Sequence, residues 1–437
     1  MNNVYGGNIL NYKDEMLNCV TKDVTLRRIR FCIIFLASGF ILGVAFCFFY
    51  KVFLGLDYPF STFLFRPHDR FQDFLGVLRM TADRNPYQVK IVEGIWGHYP
   101  VEASNYFPFT HLLLYPFTLI NKYLSLLIYS LSVICFWVFA SAKALDAGLF
   151  ESKKQRFLNI MVLTLMNYPL LFILDRGNVE GIVFLFLAYA VWFYAMGSGK
   201  WSAVFIGLAA AIKGTPILFL LFFIKERRWK ELMIGIAVPF CLSLVALLFL
   251  QGGVLKNLIL FKDALQNFGE FLLIGHNGIT HSVSLFGMVY SLWLLANKFF
   301  LDVASLKPIV ASYNVAAGIM GLAAIAYVCF SRLEPWKAWF VLVAAMQVLP
   351  FPSYDYKLIN TFLPLFLLIR SGRETQWTKA YLTLLCLIIV PKGFWILFLD
   401  VRCGTILNPL LILMVCIMII VEQYKEARLY STSFPVS

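Results

Sequence analysis

The stretch DRFQDFLGVLRMTADRNPY, residues 69–87, gathers Asp69, Asp73 and Asp83 with Arg70, Arg79 and Arg84 in a chain where only 14% of residues are charged. Phe71, Phe74, Leu75, Val77, Leu78 and Met80 recur through it at near-helical spacing, which predicts an amphipathic helix lying on a membrane surface. Asp69 and Asp73 stand four apart, as do Arg66 and Arg70, so each pair shares a helix face. A solvated, charge-paired face is the ordinary use of such a run. Asp73 differs because it is set between Phe71 and Phe74. A carboxylate shielded in that way has its charged form disfavoured, rises in pKa and can act as a general base.

Two cations also sit where they need a reason. Lys213 interrupts the apolar stretch GLAAAIKGTPILFLLFF, and a lysine at mid-membrane costs about 2.5 to 3.5 kcal/mol on insertion scales. It calls for a partner or a substrate, unless it snorkels from a helix end. Arg176, in LDRGN, adjoins Asp175 and precedes Glu180 by four residues. An arginine between two carboxylates organises a cavity wall, or forms an interfacial ion pair that contributes about 0 to 1 kcal/mol when exposed.

The elements that must position these groups are spans. The 437 residues are 60% hydrophobic and 17% aromatic, far from a soluble chain with roughly a quarter of its residues charged. Runs near 31–50, 124–142, 157–174, 179–196, 232–250, 309–331 and 404–421 reach the length of about 20 residues that a span needs. Shorter or interrupted stretches lie at 338–352, 358–369 and 380–399, the last broken by Lys392, with still shorter pieces at 106–120, 201–212, 215–224 and 282–296. The expectation is an all-α, polytopic membrane protein of about eleven to thirteen spans. It forms a single integral membrane domain over residues 1–437, because no polar block is long enough to build a core of its own. No cleavable signal pattern precedes the first span, which is therefore expected to be retained.

Lys and Arg number 37 against 24 Asp and Glu, but they sit in short clusters between apolar runs. That pattern reports topology and argues against a nucleic-acid partner. The positive-inside rule puts the N-terminus, 143–156, 225–231, 370–379 and the C-terminus in the cytoplasm. Segments 55–105, 168–178, 251–281, 351–357 and 392–403 then fall outside. One conflict arises: if 106–120 and 124–142 both cross, the cluster at 143–156 lands on the wrong face, so one of the two is expected to be re-entrant. The five histidines, His68, His98, His111, His276 and His281, lie in or beside the outer segments, either as interfacial residues or around a polar cavity open to the outside. The nine cysteines are scattered singly without metal or disulfide spacing and read as core residues.

Six stretches, in order, resemble the polytopic glycosyltransferases of the GT-C class, and among them glycosyltransferase family 87. They are QDFLGVLRMTADRNPYQ, YFPFTHLLLYPF, LDRGNVEGIVFLFLAYA, GLAAAIKGTPILFLLFFIKERRW, HNGITHSVSLFG and PSYDYKLINTFLPL. Each is weak alone, but the shared order over roughly residues 70–370 strengthens them together. The resemblance implies a transferase that moves a sugar from a polyprenyl-phosphate donor to a lipid-linked or glycan acceptor, on the outer side of a bacterial cytoplasmic membrane. It implies that Asp73, at the start of the first outer loop (55–105), is the catalytic base and that the anomeric carbon inverts.

An anionic leaving phosphate needs cations, and Arg176, Lys213 and Lys357 are the candidates. Asn277, His281 and Ser282 in HNGITHS carry groups suited to a sugar, although such residues also satisfy loop backbone. In PSYDYK, Tyr354 and Tyr356 stand where the family pattern commonly has Trp and His. Asp355 and Lys357 then remain the polar candidates, with Tyr356 a weaker one for substrate contact. NPY after the amphipathic helix reads as a turn.

No DxD, HExxH, P-loop or GxSxG motif occurs, which argues against soluble-type nucleotide-sugar transfer, zinc hydrolysis and ATP-driven transport. No metal or other cofactor is expected. The competing functions are a flippase or secondary transporter for lipid-linked sugars and an O-antigen polymerase or ligase. Transporters usually carry two related halves and broken helices; no such halves are visible here, although the pieces flanking Lys213 look like a broken helix. The polymerases and ligases usually place their large loop late in the chain, whereas the informative loop here is the first.

Overall fold

The computed structural model describes residues 5–433 apart from 65–69, 89, 95–96, 102, 146–149, 151, 275–280, 300–305, 352, 372–373 and 397–400. The described chain is helical except for two small antiparallel hairpins. Helix α1 (Tyr5–Val52) leads into the first long loop, which holds α2 (Gln72–Ala82) and the hairpin β1 (Lys90–Gly94) and β2 (Gly97–Val101). Then come α3 (Pro108–Thr118), α4 (Lys122–Ala144), α5 (Lys153–Leu165), α6 (Tyr168–Arg176), α7 (Glu180–Ala195) and α8 (Gly199–Ile212). A 3-10 turn over Thr215–Leu220 joins α8 to α9 (Leu221–Lys225), followed by α10 (Trp229–Phe249), α11 (Val254–Ile274), α12 (Leu285–Phe299) and α13 (Leu306–Phe330). The last third comprises α14 (Pro335–Val348), a second 3-10 turn over Asp355–Thr361, α15 (Phe362–Arg370), α16 (Thr378–Ile389), the hairpin β3 (Trp395–Ile396) and β4 (Val401–Arg402), and α17 (Cys403–Ser433).

Among the described residues, five helices are individually long and apolar enough to cross a membrane: Lys22–Val52 within α1, α4, α10, Ile309–Phe330 within α13 and Cys403–Arg428 within α17. Counting the bent pair α5 and α6 as one span makes six. The remaining apolar stretches form helices of 17 residues or fewer, so by length and composition alone five or six spans stand beside the eleven to thirteen read from the sequence. Local chemistry explains the breaks. At the 53° bend between α5 and α6, Asn167 caps α6 by accepting from the Leu170 N–H at 3.0 Å, and Pro169 has no N–H for a continuous ladder. Between α8 and α9, Lys213 is extended (φ −140°, ψ 119°) and Pro216 opens the 3-10 turn. Lys392, which interrupts the stretch 380–399, folds back to cap α16, donating to the carbonyls of Ile388 at 3.1 Å and Val390 at 2.8 Å.

Apolar side chains cover the outsides of the long helices: Ile34, Phe240, Leu248, Ile319 and Leu322 are all more than 60% exposed, as helices packed in lipid would be. The interior is built around α14, in which every residue from Trp336 to Val348 is buried. Trp339 there stacks on Phe219 and Phe222, with ring centroids 4.5 and 4.9 Å away.

The two ends of the bundle differ. At one, a single pocket brings together Lys143, Trp192, Met196, Glu334, Arg370 and Ser371. Beside it, Arg28 donates to the Leu368 carbonyl at 2.9 Å and Lys225 to the Ser331 carbonyl at 2.8 Å. The basic clusters therefore share this end, as the topological reading requires. At the other end Asp73 meets Arg176, the Gln251 N–H donates to the Arg84 carbonyl at 2.8 Å, and the Val283 N–H to the Ser353 carbonyl at 2.7 Å. Helix α7 runs between them, from Glu180 to Trp192, about 18 Å at 1.5 Å per residue.

The conflict around 106–142 is resolved by α3. Its 11 residues span about 16 Å, and both its ends lie at the Asp73 end of the bundle. Near its start the Thr110 hydroxyl donates to the carbonyl of Ile212, beside Lys213, at 3.0 Å. Near its finish Phe117 packs on Phe74, ring centroids 5.8 Å apart. Helix α3 thus lies across one end without crossing, and α4 is the span.

Candidate active site

Helix α2 occupies the predicted place, with Phe74, Val77, Leu78 and Thr81 buried. It packs on α3 and α6, so its apolar face is covered by protein instead of resting on a lipid surface. Phe74, fully buried, stacks on Tyr129 with ring centroids 4.7 Å apart. The partners of the Asp73 carboxylate are polar. Arg176 donates to Oδ1 in an ion pair that leaves the two side chains 16% and 18% exposed. Asn178 Nδ2 donates to Oδ2 at 2.7 Å. A second clamp lies alongside: Arg70 Nε is 3.2 Å from the Asp175 carboxylate, and the Phe71 N–H donates to the Asp175 carbonyl at 2.7 Å. Asp69, the helical neighbour expected to share a face with Asp73, lies outside the described residues.

The four-residue spacing of Arg176 and Glu180 does not put them on one helix. Gly177, at φ 66°, ends α6 in the left-handed conformation, which an L side chain adopts only with strain. A Cβ at this position would also come within 2.6 Å of the Phe74 Cβ. Gly177→Ala is therefore expected to lose at least the roughly 1–2 kcal/mol of the left-handed backbone penalty and to push α2 away from Arg176. Apparent Tm and activity should fall together. Gly76→Ala on α2, whose Cβ would meet nothing within 4 Å, should leave both intact.

Beyond Gly177 the chain turns through Asn178, which the sequence reading passed over. Asn178 is 1% exposed and joins the site together. Its Oδ1 accepts from the Glu180 N–H at 2.9 Å and from Lys213 Nζ at 3.2 Å, while its Nδ2 reaches the Tyr106 hydroxyl at 3.4 Å as well as Asp73. Its carbonyl accepts from the Tyr129 hydroxyl. The available signal was an Asn two residues before an apolar helical run, a capping pattern.

Lys213 has the partner its position demanded: Nζ lies 2.8 Å from Glu180 Oε2. The other Glu180 oxygen accepts from Asn360 Nδ2 at 2.8 Å. Lys213 Nζ also sits 4.9 Å from the Tyr356 ring centroid, a cation–π contact. Lys357 is buried within electrostatic reach of both Glu180 and Lys213. Burial, partly offset by Glu180 and reinforced by Lys213, pushes its ammonium down to about 8. The structure thus gathers Asp73, Arg176, Lys213, Tyr356 and Lys357 with Asn178, Glu180, Asn360 and Tyr106: three cations from three parts of the chain around two carboxylates.

The other predicted residues divide differently. Asp355, 3% exposed, faces the opposite way from Tyr356. It accepts from the Tyr168 hydroxyl at 2.5 Å and from Asn408 Nδ2 at 3.2 Å, and anchors the 3-10 turn to α6 and α17. The Ser282 hydroxyl bonds Ser284 Oγ at 2.8 Å and the Ser353 carbonyl at 3.0 Å, tying the loop before α12 to the loop before Asp355. His281 is 3% exposed with its ring 5.8 Å from that of Phe172. Burial, with Arg402 and Arg176 nearby, lowers its pKa well below the ordinary imidazole value. Asn277 lies outside the described residues.

Residues 105–352, more than half of the chain, match the sequence pattern of glycosyltransferase family 87. The chain belongs to this family. It is a membrane glycosyltransferase. No curated protein is similar enough to stand as a nearer relative. In this family 87 transferase the matched region contains Arg176, Asn178, Glu180 and Lys213, whereas Asp73 precedes it and Tyr356, Lys357 and Asn360 follow it. The site described above is thus built across both boundaries of the match.

Proposed function

We propose that this transferase moves one sugar from a polyprenyl-phosphate donor to the hydroxyl of a lipid-linked or glycan acceptor, at the extracytoplasmic face of a bacterial inner membrane. The observation that carries this reading is the polar cluster of Asp73, Arg176, Asn178, Lys213 and Glu180 at the end of the bundle away from the basic clusters. Positive-inside topology makes that end the outer one. The cluster combines a carboxylate able to take a proton with cations able to receive a phosphate.

In the proposed reaction the acceptor O–H gives its proton to Asp73 as its oxygen attacks the anomeric carbon. The bond from that carbon to the donor phosphate oxygen breaks, and the electron pair leaves with the phosphate. One in-line displacement inverts the anomeric configuration. Arg176, Lys213 and Lys357 would neutralise the leaving phosphate. Without substrate both Asp73 oxygens are occupied, by Arg176 and Asn178. A donor phosphate that draws Arg176 to itself would free Oδ1, so donor is expected to bind before acceptor.

Reconstituting the pure chain with labelled polyprenyl-phosphate sugar and a panel of lipid and glycan acceptors tests the reading. Sugar on an acceptor supports transfer; movement of intact donor between leaflets would instead support the flippase, which the broken α8–α9 segment at Lys213 keeps in view. A pH series adds a second check. Lys357 is charged below about 8 and neutral above it. Donor affinity should therefore fall as the pH rises from about 7 to 9, and Lys357→Arg should flatten that fall. An affinity constant over this range would remove Lys357 from the phosphate site.

A further inference from the structure

The bundle end opposite the proposed reaction site carries a pocket of about 530 Å³ between α4, α7, α15 and the start of α14, within the usual range of small-ligand sites, roughly 300–1,000 Å³. Its walls are aromatic, with Phe139, Trp192, Trp336 and Phe366 among them, and Phe139 and Trp192 are exposed at its edge. Two cations line it. Lys143 Nζ is held 5.5 Å from the Phe139 ring centroid and 5.8 Å from that of Trp192, and Arg370 closes the last turn of α15. The acid that lines it, Glu334, is engaged elsewhere, accepting from Trp336 Nε1 at 2.9 Å and lying 3.5 Å from Lys337 Nζ. Among the described residues neither Lys143 nor Arg370 is paired with a carboxylate.

We propose that this pocket binds an anionic phospholipid, with the acyl chains against the aromatic walls and the headgroup phosphate between Lys143 and Arg370. A soluble anion would leave the apolar walls uncovered, and a neutral lipid would bring neither cation a countercharge. An anionic amphiphile matches both, and basic pockets between spans at the positively charged face are suited to such headgroups. The site stands apart from the transfer reaction, since Trp192 is about 18 Å along α7 from Glu180. The occupant is a resident lipid that joins α4, α7 and α15, and it is not consumed.

The full chain in detergent, examined by native mass spectrometry and thermal unfolding, provides the test. Phosphatidylglycerol should bind about 10- to 30-fold more tightly than phosphatidylcholine of the same chain length, as two headgroup cations allow, and should raise the unfolding midpoint more. Lys143→Gln with Arg370→Gln should erase the difference. Lys200→Gln, an exposed lysine outside the pocket, should preserve it. Equal binding of the two lipids by the unaltered chain overturns the proposal whether or not the double variant folds. So does full stabilisation by glycerol 3-phosphate alone, which would make this a site for a free anion, or a folded double variant that keeps the preference.

Discussion

Replacing Asp73 by Asn is expected to lower sugar transfer by about 10²- to 10⁴-fold, the usual loss when a positioned proton acceptor is removed, while donor still binds. The amide keeps the size of the side chain and one oxygen able to accept from Arg176. It cannot take the acceptor proton. The Asn178 amide cannot simply turn to suit the new side chain, because its Oδ1 is already fixed by the Glu180 N–H and Lys213. A modest fall in apparent Tm should therefore accompany the loss of activity. Turnover measured at saturating acceptor, with donor binding measured separately, distinguishes the two effects. Turnover near that of the unaltered enzyme would exclude Asp73 as the base. Arg176→Gln should give the complementary result, with donor affinity reduced more than turnover at saturation.

The second large effect is expected at the pair Lys213 and Glu180. Glu180 is 1% exposed, and removing one member of a buried ion pair leaves the other charge uncompensated. Lys213→Met should cost about 3 kcal/mol, the lower part of the range for broken buried pairs, because Lys357 and Asn360 remain beside the carboxylate. Glu180→Gln alone should be destabilising by a similar mechanism. Combining the two should recover much of the lost stability, a coupling that a double-mutant cycle measures directly. Donor binding separates structure from function: a stable double variant with undiminished donor affinity would make Lys213 a structural cation, and one with weak affinity would leave it a phosphate ligand.

Much of this was legible in composition and pattern. The apolar runs specified a helical membrane protein, because an unpaired backbone is too costly in lipid for irregular structure to span it. The near-helical recurrence of Phe74, Val77 and Leu78 located α2, and the basic clusters sorted the loops to one end. The misplaced lysine was also readable: at a position where an isolated charge is expensive, Lys213 had to have a partner, and Glu180 is that partner.

Which residues meet was a different matter. Asp73 and Arg176 are separated by more than a hundred residues, and their ion pair exists because Gly177 lets Phe74 approach its backbone. Asp355 and Tyr356 are adjacent in sequence, yet one anchors a turn against Tyr168 and Asn408 while the other covers Lys213. Helix α3 is as apolar as a span but lies across one end, since its length and its contacts at both ends keep it there. By itself the sequence determined the solvent this protein lives in, its helical class and the residue types available for chemistry, because burial cost and periodicity act locally. Only the tertiary structure decided that Asn178 links Asp73 to Lys213, because the direction of a side chain beyond a helix break depends on what the rest of the chain packs against it.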